Sequence, residues 1–138
     1  MSYQTIKGYF KRRLASFNLQ EANKKLSFES ESESFDNKYI IENPKTELAE
    51  GDTLATKFFP VRTFVIRTAH KTSEASLIFD YDSLQTRLEN IVRDLHSVSN
   101  YRTDSIKRIV FNSLVIGQQG GYLASEMTFS VEDSLNYV

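Results

Sequence analysis

The chain has 138 residues, a net charge of −1 at pH 7 and 40% apolar residues, with ten Phe and seven Tyr, enough for one domain around a single core. It has no cysteine, which excludes disulfides, thiolate metal sites and cysteine nucleophiles. No apolar run approaches the roughly 18 residues needed to span a bilayer. Lys7, Lys11, Arg12 and Arg13 interrupt the apolar positions at the N-terminus, so no secretory pattern is read there and the expected compartment is cytoplasmic.

Residues 2–17 read as an amphipathic helix, with Ile6, Phe10, Leu14 and Phe17 in one stripe that suits core packing. Residues 26–60 read as an extended acidic loop or arm. Phe28 and Phe35 bracket Glu29, Glu31 and Glu33, which alternate with serines. A strand of that pattern would have no apolar face to bury, so a surface segment is expected. Lys38-Tyr39-Ile40-Ile41 is a short apolar anchor, and Pro44, Gly51 and Pro60 punctuate the rest of the segment.

Val61 to Ala69 is the clearest strand, and its Phe64-Val65-Ile66 centre suggests cover on both faces. Residues 70–76 read as a polar loop. Leu77-Ile78-Phe79 is a lead-in to a helix over 83–97, capped by Asp82 or Ser83 and carrying Leu84, Leu88, Ile91, Val92 and Leu95. Ser99-Asn100 ends it. Ile106 to Ile116 and Gly121 to Val131 form a closing hairpin around Gly117-Gln118-Gln119-Gly120-Gly121. In its second strand Leu123, Met127, Phe129 and Val131 share one face, and Glu126, Thr128 and Ser130 share the other. The expected fold class is α+β, a mixed, largely antiparallel sheet with two main helices packed on one face, in a single domain over residues 1–138.

Charge is unevenly spread. Residues 1–25 hold six basic side chains against Glu21, and residues 26–55 hold eight acids against Lys38 and Lys45. This argues against a general nucleic-acid binder, which would show a basic excess. It is compatible with head-to-tail pairing of subunits, and also with a solvated helix followed by a solvated loop.

Few constellations suggest chemistry. Asp80 and Asp82, one residue apart after an apolar run, are spaced like the nucleophile and acid of a metal-dependent phosphatase or transferase. No Gly-Thr pair or later Lys-plus-carboxylate set accompanies them, so a helix-capping role is preferred. His70, in the polar loop, and His96, near a helix C-terminus, are too isolated for a metal site. No G-x-S-x-G elbow supports a serine triad. The glycine-rich loop lacks the Lys-Ser/Thr of a phosphate loop, and a hairpin turn explains it. Tyr101, Arg102, Lys107 and Arg108 read as a solvated sheet edge. No catalytic residue, cofactor or metal is expected.

The stretches Ile6 to Phe17, Phe28 to Ile41, Val61 to Lys71, Asp82 to Leu95 and Tyr122 to Val131 follow the order helix, acidic loop, strand, helix, closing hairpin. In that order, and in the Phe-rich acidic segment leading into Tyr39-Ile40-Ile41, the chain resembles the tail terminator (tail completion) proteins of long-tailed bacteriophages. The resemblance implies a virion protein, assembled in the host cytoplasm and placed at the head-proximal end of the tail. It would form a homohexameric ring that caps the tail tube, stops its polymerisation and meets the head-completion or neck protein. DNA would pass through the lumen without sequence-specific binding, and no membrane would be involved. Another neck or head–tail connector protein would share these features. On this reading Glu29, Glu31, Glu33 and Phe35 of the acidic arm, and Gly117, Gln118, Gln119 and Gly120 of the hairpin, are candidate contacts to neighbouring subunits or to the tube.

Overall fold

The computed structural model describes residues 3–22, 35–48, 60–104 and 106–132. The elements are α1 (Tyr3–Ala15), β1 (Gln20–Glu21), β2 (Lys38–Leu48), β3 (Pro60–Lys71), α2 (Leu77–Leu95), α3 (Val98–Tyr101), a 3₁₀ turn (Arg102–Asp104), β4 (Arg108–Gln119) and β5 (Tyr122–Glu132). The strands form one sheet in the order β1-β2-β3-β5-β4; β1 and β2 are parallel and the other pairs antiparallel. The fold is α+β.

α1 forms because its apolar residues recur at helical spacing. Ile6, Tyr9, Phe10 and Leu14 are all at most 1% exposed. It ends in a Schellman motif: Leu19 N–H donates to the Leu14 carbonyl at 3.3 Å and Asn18 N–H to that of Ala15 at 3.1 Å. Asn18 takes the required left-handed φ of 63°, and buried Leu19 joins Leu14 in the core.

α2 buries Leu84, Leu88, Ile91, Val92 and Leu95 as expected, but it starts earlier than the spacing predicts. Leu77-Ile78-Phe79 is its first turn. Asp80 N–H makes the opening helical bond to the Ser76 carbonyl at 2.8 Å. The Asp80 carboxylate accepts from the hydroxyls of Thr72 (2.9 Å) and Ser76 (2.7 Å). Asp80 therefore ties the chain entering the helix, and neither Asp82 nor Ser83 caps it.

Both helices cover the sheet face formed by Tyr39 and Ile41 (β2), Phe64 and Ile66 (β3), Met127, Phe129 and Val131 (β5) and Ile109 (β4), which all join one core cluster with the helical residues. The Phe10 ring lies 5.4 Å from that of Phe64 and 5.7 Å from that of Phe129. α1 is locked across the end of α2 by two polar contacts. Tyr9 Oη donates to the Leu95 carbonyl at 2.7 Å, satisfying an acceptor at the helix terminus, and Arg13 grips Asp94 with Nε at 2.7 Å and a second, shorter bond from Nη2.

The opposite face of the sheet corrects the expectation of two-sided cover. Val65 and Arg67 are only partly buried there. Arg67 bridges Glu42 of β2 and Glu126 of β5, each at 2.5 Å. With all three side chains about 40% exposed, the bridge sits in a solvated setting where such pairs contribute little.

A second correction concerns the acidic arm, because residues 38–48 form a strand. β2 pairs with β3 from Lys38↔Ala69 to Leu48↔Pro60, with one extra residue between Glu42 and Lys45. Pro44 lies in that bulge, which is where an outer strand tolerates a residue without an N–H.

Candidate functional site

Glu29, Glu31 and Glu33 lie outside the described residues. Phe35, grouped with them as a contact, is 4% exposed and clusters with Ala69 and Tyr122. Its N–H donates to the Tyr122 hydroxyl at 3.3 Å. That side chain serves the fold and presents almost no surface to a neighbour.

The hairpin loop is shorter than expected. Gln119 pairs with Tyr122, so Gly117, Gln118 and Gln119 belong to β4 and the turn is Gly120-Gly121 alone. Gly120 has φ 58° while Gly121 is not left-handed, the pattern of a turn that wants glycine first. We expect Gly120→Ala to cost about 1–3 kcal/mol in a denaturation series. Gly121→Ala, where an added Cβ meets nothing within 4 Å, should be near neutral.

Asp80 and Asp82 sit two apart on a helix, where side chains diverge by more than a quarter turn and do not converge on one ion. Asp80 is already held by Thr72 and Ser76, and Asp82 is exposed. Among the described residues no group of three or more His, Cys, Asp or Glu is placed to hold a metal.

The most organised polar feature is not visible in the spacing. His70 lies inside β3, not in a loop, on the same face as Phe64, Ile66 and Thr68, and it is 7% exposed. Asn37 Oδ1 accepts from Arg87 Nη1 at 2.8 Å and faces His70 Nδ1 at 3.1 Å. Because this oxygen can only accept, His70 Nδ1 carries the proton and Nε2 accepts from the Thr68 hydroxyl at 2.8 Å. Thr68 Oγ1 in turn contacts Ser125 Oγ on the paired strand. Arg87 also donates to the Phe17 carbonyl at 2.6 Å, tying α2 to the end of α1. Asn37 reaches this position in a tight turn, with φ 57°, a conformation asparagine tolerates.

Burial, reinforced by the nearby Arg87 charge, pushes the His70 pKa down to about 4, against the opposing pull of Asp36. Burial likewise lowers the Arg87 pKa, with Asp36 again opposing. Asp36, Lys71, Asp80 and Ser83 complete the rim of a cleft of about 190 Å³ beside His70. Its charges are of both signs, and the imidazole is hydrogen-bonded at both nitrogens. This is a structural polar core that joins β3, β5, α2 and the turn before β2. The one available sequence signal is parity: His70 continues the Phe64, Ile66, Thr68 alternation.

The basic cluster also divides. Tyr101 is 4% exposed and belongs to the core, while Lys107 and Arg108 lie 3.6 and 4.0 Å from Glu132.

Among the described residues, the most exposed large apolar side chains lie on β4 and the first turn of α2. Ile78 is 80% exposed, Phe79 73% and Val115 61%. Leu77, Ile78 and Tyr81 face Ile116, Gly117 and Leu123 across a groove of about 320 Å³. No protein-family model and no curated protein gives a significant match to the chain.

Proposed function

We propose that this chain is a structural protein of a long-tailed bacteriophage virion, a tail terminator. It assembles as a hexameric ring, caps the head-proximal end of the tail tube, stops tube polymerisation and joins the tail to the head–neck connector. The observation that carries this reading is the order of elements, an N-terminal helix, an acidic segment running into a strand, a central strand, a long helix and a closing hairpin, built as an α+β sheet with two helices on one face. That is the architecture the resemblance implies. The arrangement of polar groups supports it. Asp80 and His70, the residues with most claim to chemistry, are hydrogen-bonded within the fold, while Ile78 and Phe79 on the first turn of α2 are exposed.

In this reading Glu29, Glu31 and Glu33 contact a neighbouring subunit or the tube, with the Gly120 turn as a second contact. DNA passes through the lumen, where acidic side chains would repel its phosphates. Reversing Glu29, Glu31 and Glu33 to lysine should reduce ring formation and the fraction of capped tubes counted by negative-stain microscopy. Unchanged capping would remove the acidic segment from the contact surface.

A further inference from the structure

β4 stands at one edge of the sheet, and among the described residues no strand pairs with its outer side. Such an edge presents a row of free backbone donors and acceptors, which soluble proteins normally guard with charge, proline or brevity. The other side of the sheet is less open: β1 covers the start of β2, and a bulge between Glu42 and Lys45 interrupts the rest. β4 has twelve residues, and from Ile109 to Gln119 none is charged and none is proline. Its only irregularity is an extra residue between Phe111 and Ser113. Phe111, Leu114 and Ile116 reach the core from this strand but are only partly buried, so the core is incompletely closed along this edge.

We propose that β4 pairs with β4 of a second copy, antiparallel about a two-fold axis at Val115, so that the two sheets continue into one. Side-chain parity requires an axis on a residue, and centring it on Val115 matches the apolar side chains best. This register sets Leu114 of each copy opposite Ile116 of the other on the core face, Val115 opposite Val115 on the outer face, and Ser113 opposite Gly117, where there is open space for a side chain. The single charge of the strand, Arg108, falls beyond the end of the opposing strand, so the pairing brings no like charges together. A two-fold axis normal to the sheet keeps both helical layers on the same side. The apolar groove beneath Ile78 then borders the second copy's Leu114. The pairing concerns the free chain and does not depend on the terminator reading.

The absence of native cysteine makes the register directly testable. Residues directly opposed across an antiparallel pair have the Cα separation a disulfide requires. In the full-length chain, Val115→Cys should therefore cross-link into a covalent dimer under mild oxidation, and Val115→Lys should weaken dimerisation about tenfold or more by sedimentation. In the monomer the lysine is accommodated, because Val115 lies opposite Glu126 of β5, so thermal melting of the monomer should be little changed. Ile78→Cys, away from the axis, should cross-link poorly. A wild-type chain that stays monomeric at high micromolar concentration, a Val115→Cys variant that does not cross-link, or a Val115→Lys variant that dimerises as tightly as wild type would each overturn the proposal.

Discussion

Replacing Phe10 with alanine should remove about 3–5 kcal/mol of stability, the usual loss when a buried phenylalanine is truncated. Phe10 is fully buried at the centre of the helix–sheet interface, with its ring against Tyr9, Phe64 and Phe129. The cavity would open between α1 and the two strands β3 and β5. Neither strand can move to fill it, because they pair with each other over their whole length. Domains of this size retain about 5–15 kcal/mol in total, so the variant should be close to unfolding at physiological temperature. Phe10→Leu keeps most of the volume and should lose about 1.5 kcal/mol or less. Urea denaturation checks both. A loss for Phe10→Ala below that of Phe10→Leu would mean that α1 is not docked through this ring.

The second large effect is on the pH dependence. The folded state holds His70 neutral with a pKa of about 4, whereas the unfolded chain has the ordinary value of 6.5. Above 6.5 neither state binds the proton and the group has no effect on stability. Between 6.5 and about 4 only the unfolded chain takes the proton, so stability falls as the pH falls. At about 1.4 kcal/mol per pH unit, the full loss across that window is about 3 kcal/mol. Protonation would require a proton on Nε2, where the Thr68 hydroxyl now donates, and would bring a second cation close to Arg87. Carboxylates contribute to acid unfolding in the same range, so the informative quantity is the difference between wild type and His70→Gln. The extra slope between pH 6.5 and 4 should vanish in the variant. Identical slopes in the two proteins would show that His70 titrates normally.

How much of the architecture is legible in the sequence depends on what each segment buries. The stripes Ile6, Phe10, Leu14 and Leu84, Leu88, Ile91, Val92, Leu95 become the core faces of α1 and α2, because helical periodicity over several turns has few competing explanations. The alternation of Leu123, Met127, Phe129 and Val131 likewise becomes the buried face of β5. β2 is hidden because Pro44 and the mixed charges around it look like loop, yet an outer strand with a bulge accepts both. The start of α2 is obscured because exposed Ile78 and Phe79 do not fit the buried stripe; a helix beginning at Leu77 must turn them towards solvent.

The site is less legible than the fold. Asn37, Thr68, His70, Arg87 and Ser125 come together only through strand pairing and the turn before β2, contacts that no local spacing encodes. The hairpin residues Gly117 to Gln119 read as loop because glycines flank the two glutamines on both sides. The tight Gly120-Gly121 turn carries the pairing through them.

The central claim is that this chain caps a tail tube, and the most direct measurement monitors tube growth. Tail-tube protein of the same virus should be polymerised with and without the chain and imaged by negative stain. Tubes are expected to stop growing when the chain is present, with a six-subunit ring at one end of each. Tubes of unaltered length with no added density at either end would contradict the claim.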